Sequence, residues 1–395
     1  MRRALILSDW PNVTKLSIAY FLSTLYFYIP VYALYLQSRG LNYVQINSLW
    51  GIIVGTMFLT EVPTGLVADK LSRKRSVNIA LGLQLVGEII FIFAKGYWPF
   101  ALAAVAGGLG FAFSSGAVEA LVYDSLKQSN QESDMSRAMG LLSAAQRGAN
   151  LLAFAVGGVL VVNLTEQRFV LAIVLTALMV AGGWLVSLTL EEPPAPEPSQ
   201  AGDSPIKLLA HAVRRLCVER RFRRLALLAV LTVPFTNYLI NLYQPRFVEI
   251  GVPSVWLGAG LAIASALSMT NARYAYLIEQ RLGARFSLLL VSGLPGILYL
   301  VFALSTAPPV AVVVFCLLYG SMSLKDPVFS AHLNRYIDSA NRATVLSLIS
   351  MLSGIYVALV GLVIGLIADL SLPYAFGFMG IVILGGTALF RPSNS

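Results

Sequence analysis

Charged residues are scarce in this sequence, at 12% against 57% hydrophobic residues, and a few of them stand inside long apolar runs. If those runs lie in lipid, a charge near the centre costs at least about 2.5–3.5 kcal/mol, so each such residue needs a partner or a task. Glu61, Glu88 and Glu119 are the acids so placed, and Arg147 is the cation nearest the middle of a run; Lys325, Asp326 and Arg273 stand towards run ends. A carboxylate here can take up and release a proton, and a guanidinium can pair with that carboxylate or with an anionic ligand. Glu119 and Arg147 therefore read either as a working charge pair or as a static salt bridge, with Glu61 and Asp326 as further coupling acids. Glu88 has Gln84 one turn earlier, which suits a helix-to-helix hydrogen bond. Lys325 and Arg273 sit where their stems can carry the charge out to the headgroups.

The second group is aromatic and amide. Tyr28, Tyr32 and Tyr35 follow i, i+4, i+7 and share a helix face, and Asn237 and Asn241 share another with Tyr238 and Tyr243 beside them. Tyr28, Tyr32, Asn237, Asn241 and Tyr238 are candidate ligand contacts. A lining of tyrosines with few amides suits a bulky amphipathic small molecule held by stacking and a few hydrogen bonds. Tyr20 and Tyr35 read as interfacial tyrosines. A sugar carrier would be expected to show more Asn, Gln and Trp. Enzyme chemistry has no foothold: there is no phosphate loop and no metal spacing, His211 and His332 are isolated, and Cys217 and Cys316 suggest no disulfide. No cofactor is expected.

The elements that must hold these residues are helices. Twelve apolar runs occupy roughly 13–36, 45–68, 76–94, 98–122, 138–162, 168–190, 223–248, 254–278, 286–304, 308–328, 343–367 and 372–390. Each is long enough to cross about 30 Å of hydrocarbon at 1.5 Å per residue. The only long polar interruption, 191–222, starts Pro-rich and continues as an amphipathic, arginine-bearing helix suited to a membrane surface. The expected organisation is a six-helix bundle at 1–190, a linker at 191–222 and a second six-helix bundle at 223–395. Most Lys and Arg fall in segments on one side of these spans, which places both termini in the cytoplasm. The net charge of +9 thus reflects topology and attraction to acidic lipid headgroups, not nucleic acid.

The halves repeat each other. "GLNYVQI" at 40–46 matches "GVPSVWL" at 251–257, "EALVYDSL" at 119–126 matches "DPVFSAHL" at 326–333, and "RAMGLLS" at 137–143 matches "RATVLSL" at 342–348. Order is kept across all three. A duplicated six-helix unit is the build of many transporters, with the substrate site at the repeat interface. Glu119 and Asp326 are twins in this alignment, whereas Arg147 falls opposite Leu352.

Between the second and third runs stands Gly65-x-x-Ala68-Asp69-Lys70-x-x-Arg73-Lys74-Arg75. With twelve spans and a long central loop, this resembles the major facilitator superfamily, and "EVPTGLVADKLSRKRS" and "SSGAVEALVYDSL" look like a bacterial subgroup of drug or metabolite exporters. Ser72 departs from the family's Gly, and the second copy at Glu279, Arg281, Gly283 and Arg285 is degenerate. "AFAVGG" at 153–158 keeps the paired glycines of the antiporter pattern but has Phe154 in place of proline. The resemblance implies an all-α membrane protein of twelve helices in two pseudo-symmetric bundles. Gly65, Asp69, Arg73 and Asp124 would form a conformational latch, Asp69 meeting the start of span 11 and Arg73 reaching Asp124. The expected function is proton-coupled efflux of amphipathic small molecules by alternating access, as a monomer of the inner membrane. The alternatives are a carrier of anionic or zwitterionic metabolites or lipids that uses Arg147 for the anion, and a receptor or scaffold.

Overall fold

The structure, a computed structural model, describes residues 10–193, 220–233, 235–336 and 342–390; for residues 62, 63, 65–71, 220, 221, 334–336, 342–344, 346 and 347 only the backbone is described. Helix is the only regular secondary structure among the described residues, and helices occur in each of the twelve apolar runs. In chain order these are α1 (Pro11–Ser23), α2 (Tyr32–Ser38), α3 (Tyr43–Leu71), α4 (Arg73–Phe93), α5 (Tyr97–Ser114), α6 (Ala117–Gln128), α7 (Met135–Leu160) and α8 (Glu166–Leu188). The second half adds α9 (Arg220–Leu231), α10 (Thr236–Ile250), α11 (Val255–Leu304), α12 (Pro308–Met322), α13 (Lys325–Tyr336), α14 (Arg342–Leu370) and α15 (Leu372–Leu389). Nine described segments are long and apolar enough to cross a membrane. The 50-residue α11 holds two spans, because Gly283 breaks it with φ 75° and ψ 164°. The amphipathic segment expected at 206–219 lies outside the described residues.

Two compact units divide the chain. One comprises Met1–Leu41 and Ile52–Ser199, the other Asn42–Gly51 and Gln200–Ser395. The first ten residues after Leu41 thus belong with the second unit. There Asp369, near the end of α14, accepts hydrogen bonds from the backbone N–H groups of Tyr43 (2.7 Å) and Val44 (3.3 Å) in the first turn of α3. Those donors have no partner within their own helix, and the carboxylate faces the positive end of the helix dipole. In the first unit, the linker's opening residues are fastened down: Asn12 exchanges two 2.9 Å hydrogen bonds with the Glu191 backbone, and Lys15 meets the Glu191 carboxylate at 2.8 Å.

Four spans are interrupted, in matching pairs. Span 1 breaks between α1 and α2, where Pro30 supplies no backbone donor and sits inside a single 3-10 turn, Ile29–Val31. Span 7 breaks between α9 and α10, where the sequence carries Pro234. Span 4 breaks at Ser115–Gly116, Gly116 taking φ 71°, and span 10 at Ser323–Leu324. The repeat offsets read from the sequence bring the span 4 break to within a residue of that in span 10, and the span 1 break to within three to seven residues of that in span 7. They also pair Gly40 (φ 90°) with Gly251 (φ 80°), and Ser72 (φ 103°) with Gly283 (φ 75°). The duplication is visible in the backbone angles.

Candidate functional site

The cationic loop after α3 is ordered around Ser72. Its Oγ accepts from the Arg75 N–H at the start of α4, so the serine caps this helix, in a backbone region that favours glycine. Where the family pattern has Gly, this serine supplies a helix cap. The Glu192 carboxylate accepts from the backbone N–H of Arg73 and of Lys74, both at 3.0 Å. The Arg73 guanidinium pairs with Asp124 on α6, as expected. Both partners lie in the first unit, so this ion pair stiffens one half and by itself clamps nothing to the other. Of Gly65 and Asp69 only the backbone, within α3, is described. Lys15 holds the exposed Glu191 carboxyl below the usual carboxylate range.

In the first unit, the breaks in spans 1 and 4 border a cavity of about 350 Å³. Tyr20, Tyr26, Gln84, Ser114, Gln146 and Asn150 supply its polar lining. Gln84 Nε2 on α4 donates to the free Ser23 carbonyl at the end of α1 (2.8 Å) and to the Tyr26 hydroxyl (2.7 Å). The Tyr20 and Ser114 hydroxyls meet at 2.7 Å. Gly157 on α7 makes room: a Cβ there would strike the Phe27 carbonyl in the broken segment of span 1. That gives the "AFAVGG" glycine a packing reason, with the neighbouring Phe154 buried.

One turn along α4, the tyrosines of span 1 surround Glu88. The Tyr28 hydroxyl donates to Glu88 Oε1 at 3.0 Å, and Oε2 is buried with no partner. Tyr28 and Tyr32 each stack on Phe91, at centroid distances of 5.1 and 5.9 Å. The Tyr35 hydroxyl donates to the Phe91 carbonyl, and its ring is fully buried. Tyr20 and Tyr35 are thus inside the bundle, not interfacial. Of the two span 1 tyrosines expected to touch ligand, Tyr28 is buried against Glu88 and Tyr32 is half-buried.

In the second unit, the breaks in spans 7 and 10 border a cavity of about 520 Å³. Lys325 opens α13 and lines it, only 5% exposed, and donates to the Ala229 carbonyl (2.7 Å) and the Thr232 hydroxyl (2.9 Å) at the end of α9. It does not reach out to headgroups. An ammonium at a helix C-terminus satisfies open carbonyls and faces the negative end of the dipole. Arg273, by contrast, is exposed as expected, over the Tyr274 ring.

Glu119 sits in the first turn of α6 and Arg147 midway along α7; both are exposed, and no ion pair joins them. The static salt bridge is therefore not formed in this structure. Glu61 and Asp326 are also exposed, and Asp326 lines the second cavity. Asn241 Nδ2 donates to Asn47 Oδ1 at 3.3 Å. Asn237 is half-buried, whereas Tyr238 is fully buried and donates its hydroxyl to the Val357 carbonyl at 2.8 Å. Tyr238 is a packing residue here, because its one polar atom is occupied inside the bundle. Sequence reading missed Gln146 and Asn150, and also the depth of Gln84. The signal was present: each is half of a polar i, i+4 pair on an otherwise apolar helix.

A sequence profile of the Major Facilitator Superfamily matches residues 16–324. The chain belongs to the major facilitator superfamily. Among curated proteins it is 20% identical over 367 residues to the uncharacterized MFS-type transporter YxaM of Bacillus subtilis (strain 168), covering 92% of this chain and 89% of YxaM. Among solved structures, the nucleoside transporter NupG superposes with a TM-score of 0.75 at 17% identity, covering 96% of this chain and 97% of NupG. A bacterial homolog of the human lysosomal transporter Spinster gives a TM-score of 0.75 at 15% identity, covering 98% and 97%. At these identities the likeness shows a shared fold. This major facilitator protein is a multi-pass membrane transporter, not an enzyme, and the broken spans with their cavities are its candidate substrate region.

Proposed function

We propose that the protein moves small amphipathic molecules out of the cell by alternating access, in exchange for protons. The observation that carries this reading is the set of paired breaks. Interrupted spans at corresponding positions of two repeats are where transporters expose backbone and polar groups to a substrate, and here each half has a cavity at its breaks. The first cavity offers two tyrosines and three amides without a formal charge, which suits an uncharged ring system bearing hydrogen-bonding groups. That is more amide than the sequence reading assigned.

In this scheme Glu119, exposed beside the break in span 4 and unpaired, carries the proton, with Glu61 and Asp326 as secondary acids. Asp69 fastens the cytoplasmic side, on the footing that the Arg73–Asp124 pair and Glu192 supply. Both termini are cytoplasmic, the basic loops meet acidic lipid, and the working unit is a monomer that binds no nucleic acid. A second reading has one observation in its favour: among the described residues Arg147 has no carboxylate partner, which leaves its guanidinium open to a substrate anion.

Reconstitution into liposomes with a pH-sensitive dye tests the scheme against cationic, neutral and anionic amphiphiles, with a nucleoside included. Proton movement on adding a neutral or cationic amphiphile, abolished by Glu119→Gln while counterflow exchange persists, is the expected result. Transport confined to anions and lost in Arg147→Ala at every pH would replace it with the second reading.

A further inference from the structure

The second cavity differs from the first in one chemical respect. Where Gln84 holds the broken end of α1 with a neutral amide, Lys325 holds the broken end of α9 with an ammonium. No carboxylate lies within 4.0 Å of that ammonium among the described residues, and two of its three donors are used, on neutral acceptors. The Phe329 ring lies below it, 5.1 Å from centroid to Nζ. The next residue, Asp326, lines the same cavity with its carboxylate exposed and unpaired. Consecutive helical residues project about 100° apart, so the two charged groups, which feel each other's field without forming an ion pair, enter the cavity in different directions. Val233, Phe329, Leu333 and Ile349 add apolar lining to the same cavity.

We propose that this cavity binds a small zwitterion with an apolar body, of the kind a free hydrophobic amino acid represents, its carboxylate on Lys325 and its ammonium on Asp326. A lone anion would meet Lys325 but sit beside the Asp326 charge, and a lone cation would have the converse problem. Only a ligand carrying both signs compensates both groups while adding no net charge to a poorly solvated site. The volume of about 520 Å³ is that of a small-molecule site. The lysine's twin in the first half, by the 119–126 to 326–333 match, is Val118, so the charge pair is particular to this half. The assignment deepens the transporter reading and rests on it.

The test uses the full chain in detergent, with equilibrium binding of radiolabelled L-phenylalanine. Competitors are its methyl ester, which keeps only the cation, N-acetyl-L-phenylalanine, which keeps only the anion, and a short-chain phosphatidylethanolamine. The two single-charge analogues should compete at least about tenfold more weakly than phenylalanine itself. Asp326→Asn should erase the advantage of phenylalanine over the N-acetyl compound, and Lys325→Gln its advantage over the ester. Because Lys325 also holds α9, that variant can fail to fold; Asp326 is exposed and makes no hydrogen bond or ion pair among the described residues, so Asp326→Asn decides alone. Equal competition by all analogues, or an unchanged order in Asp326→Asn, overturns the proposal. Displacement of the label by the lipid at concentrations at least about tenfold below those of unlabelled phenylalanine assigns the cavity to a headgroup and overturns it too. Absence of phenylalanine binding at millimolar concentration, with dye-coupled transport of other substrates intact, refutes the inference and leaves the transporter reading standing.

Discussion

At the scale of single residues, the most informative position is Ser72. Its φ of 103° with ψ of 151° is a region that essentially only glycine occupies without strain, and its twin Gly283 occupies a closely similar one. Ser72→Gly relieves strain of about 1–3 kcal/mol and gives up a cap worth a few tenths against glycine, so a net gain near 1 kcal/mol is expected. The reciprocal Gly283→Ala should lose a similar amount. Thermal unfolding of both variants in detergent checks the pair, and equal Tm values would contradict the strain. Glu88 makes a second case: Glu88→Leu strands the buried Tyr28 hydroxyl and should cost about 1–3 kcal/mol, whereas Glu88→Gln keeps an acceptor at Oε1 and should stay within about 1 kcal/mol of the parent. The sequence announced both residues as anomalies, one against a family pattern and one against the apolar run around it. It did not announce their partners, because span 1 turns out of its helix just where Tyr26 and Tyr28 swing toward α4. A lysine placed at a span end read as a snorkelling side chain for the same reason: an unseen break had supplied open carbonyls in the other direction.

The elements were legible as apolar runs, and their interruptions were not. A hydropathy pattern reports that 13–36 or 308–328 is apolar, and a short non-helical segment in either run changes that average very little. The clues were Pro30, Pro234 and the Ser-Gly step at 115–116, all of which membrane helices also tolerate in unbroken form. A helix start offers its own prediction. Asp369 satisfies two N–H groups at the head of α3, and Asp369→Ala leaves both without that acceptor. A loss of about 1–2 kcal/mol is expected, together with faster alkylation of a cysteine introduced at Asn47, which is 1% exposed in the parent. Unchanged alkylation would show that the carboxylate is dispensable to this helix end.

For the molecule as a whole, the twelve spans, the duplication and the family followed from pattern alone, since periodic apolar runs and loop charge need no side-chain geometry. The charge pair at Glu119 and Arg147 did not, because sequence places two charges inside neighbouring spans without saying which way each faces. Orientation remains a prediction of loop charge: cysteines at 37–44 and 163–168 should react with an impermeant thiol reagent in intact cells, and one at 195–203 should not. The reverse labelling would invert the topology and move Asp69 to the opposite face. The grouping of residues 42–51 with the second unit has a consequence for how the chain is made. Tyr43 and Asp369 are 326 residues apart, and at about 5–20 residues per second the ribosome needs roughly fifteen seconds to a minute to travel from one to the other. Throughout that interval the head of span 2 sits in the membrane without its carboxylate, its donors served by whatever water, lipid or insertion factor is at hand. A stalled or truncated product carrying only the first six spans would keep that vacancy permanently, and quality control would have a fixed place to recognise it.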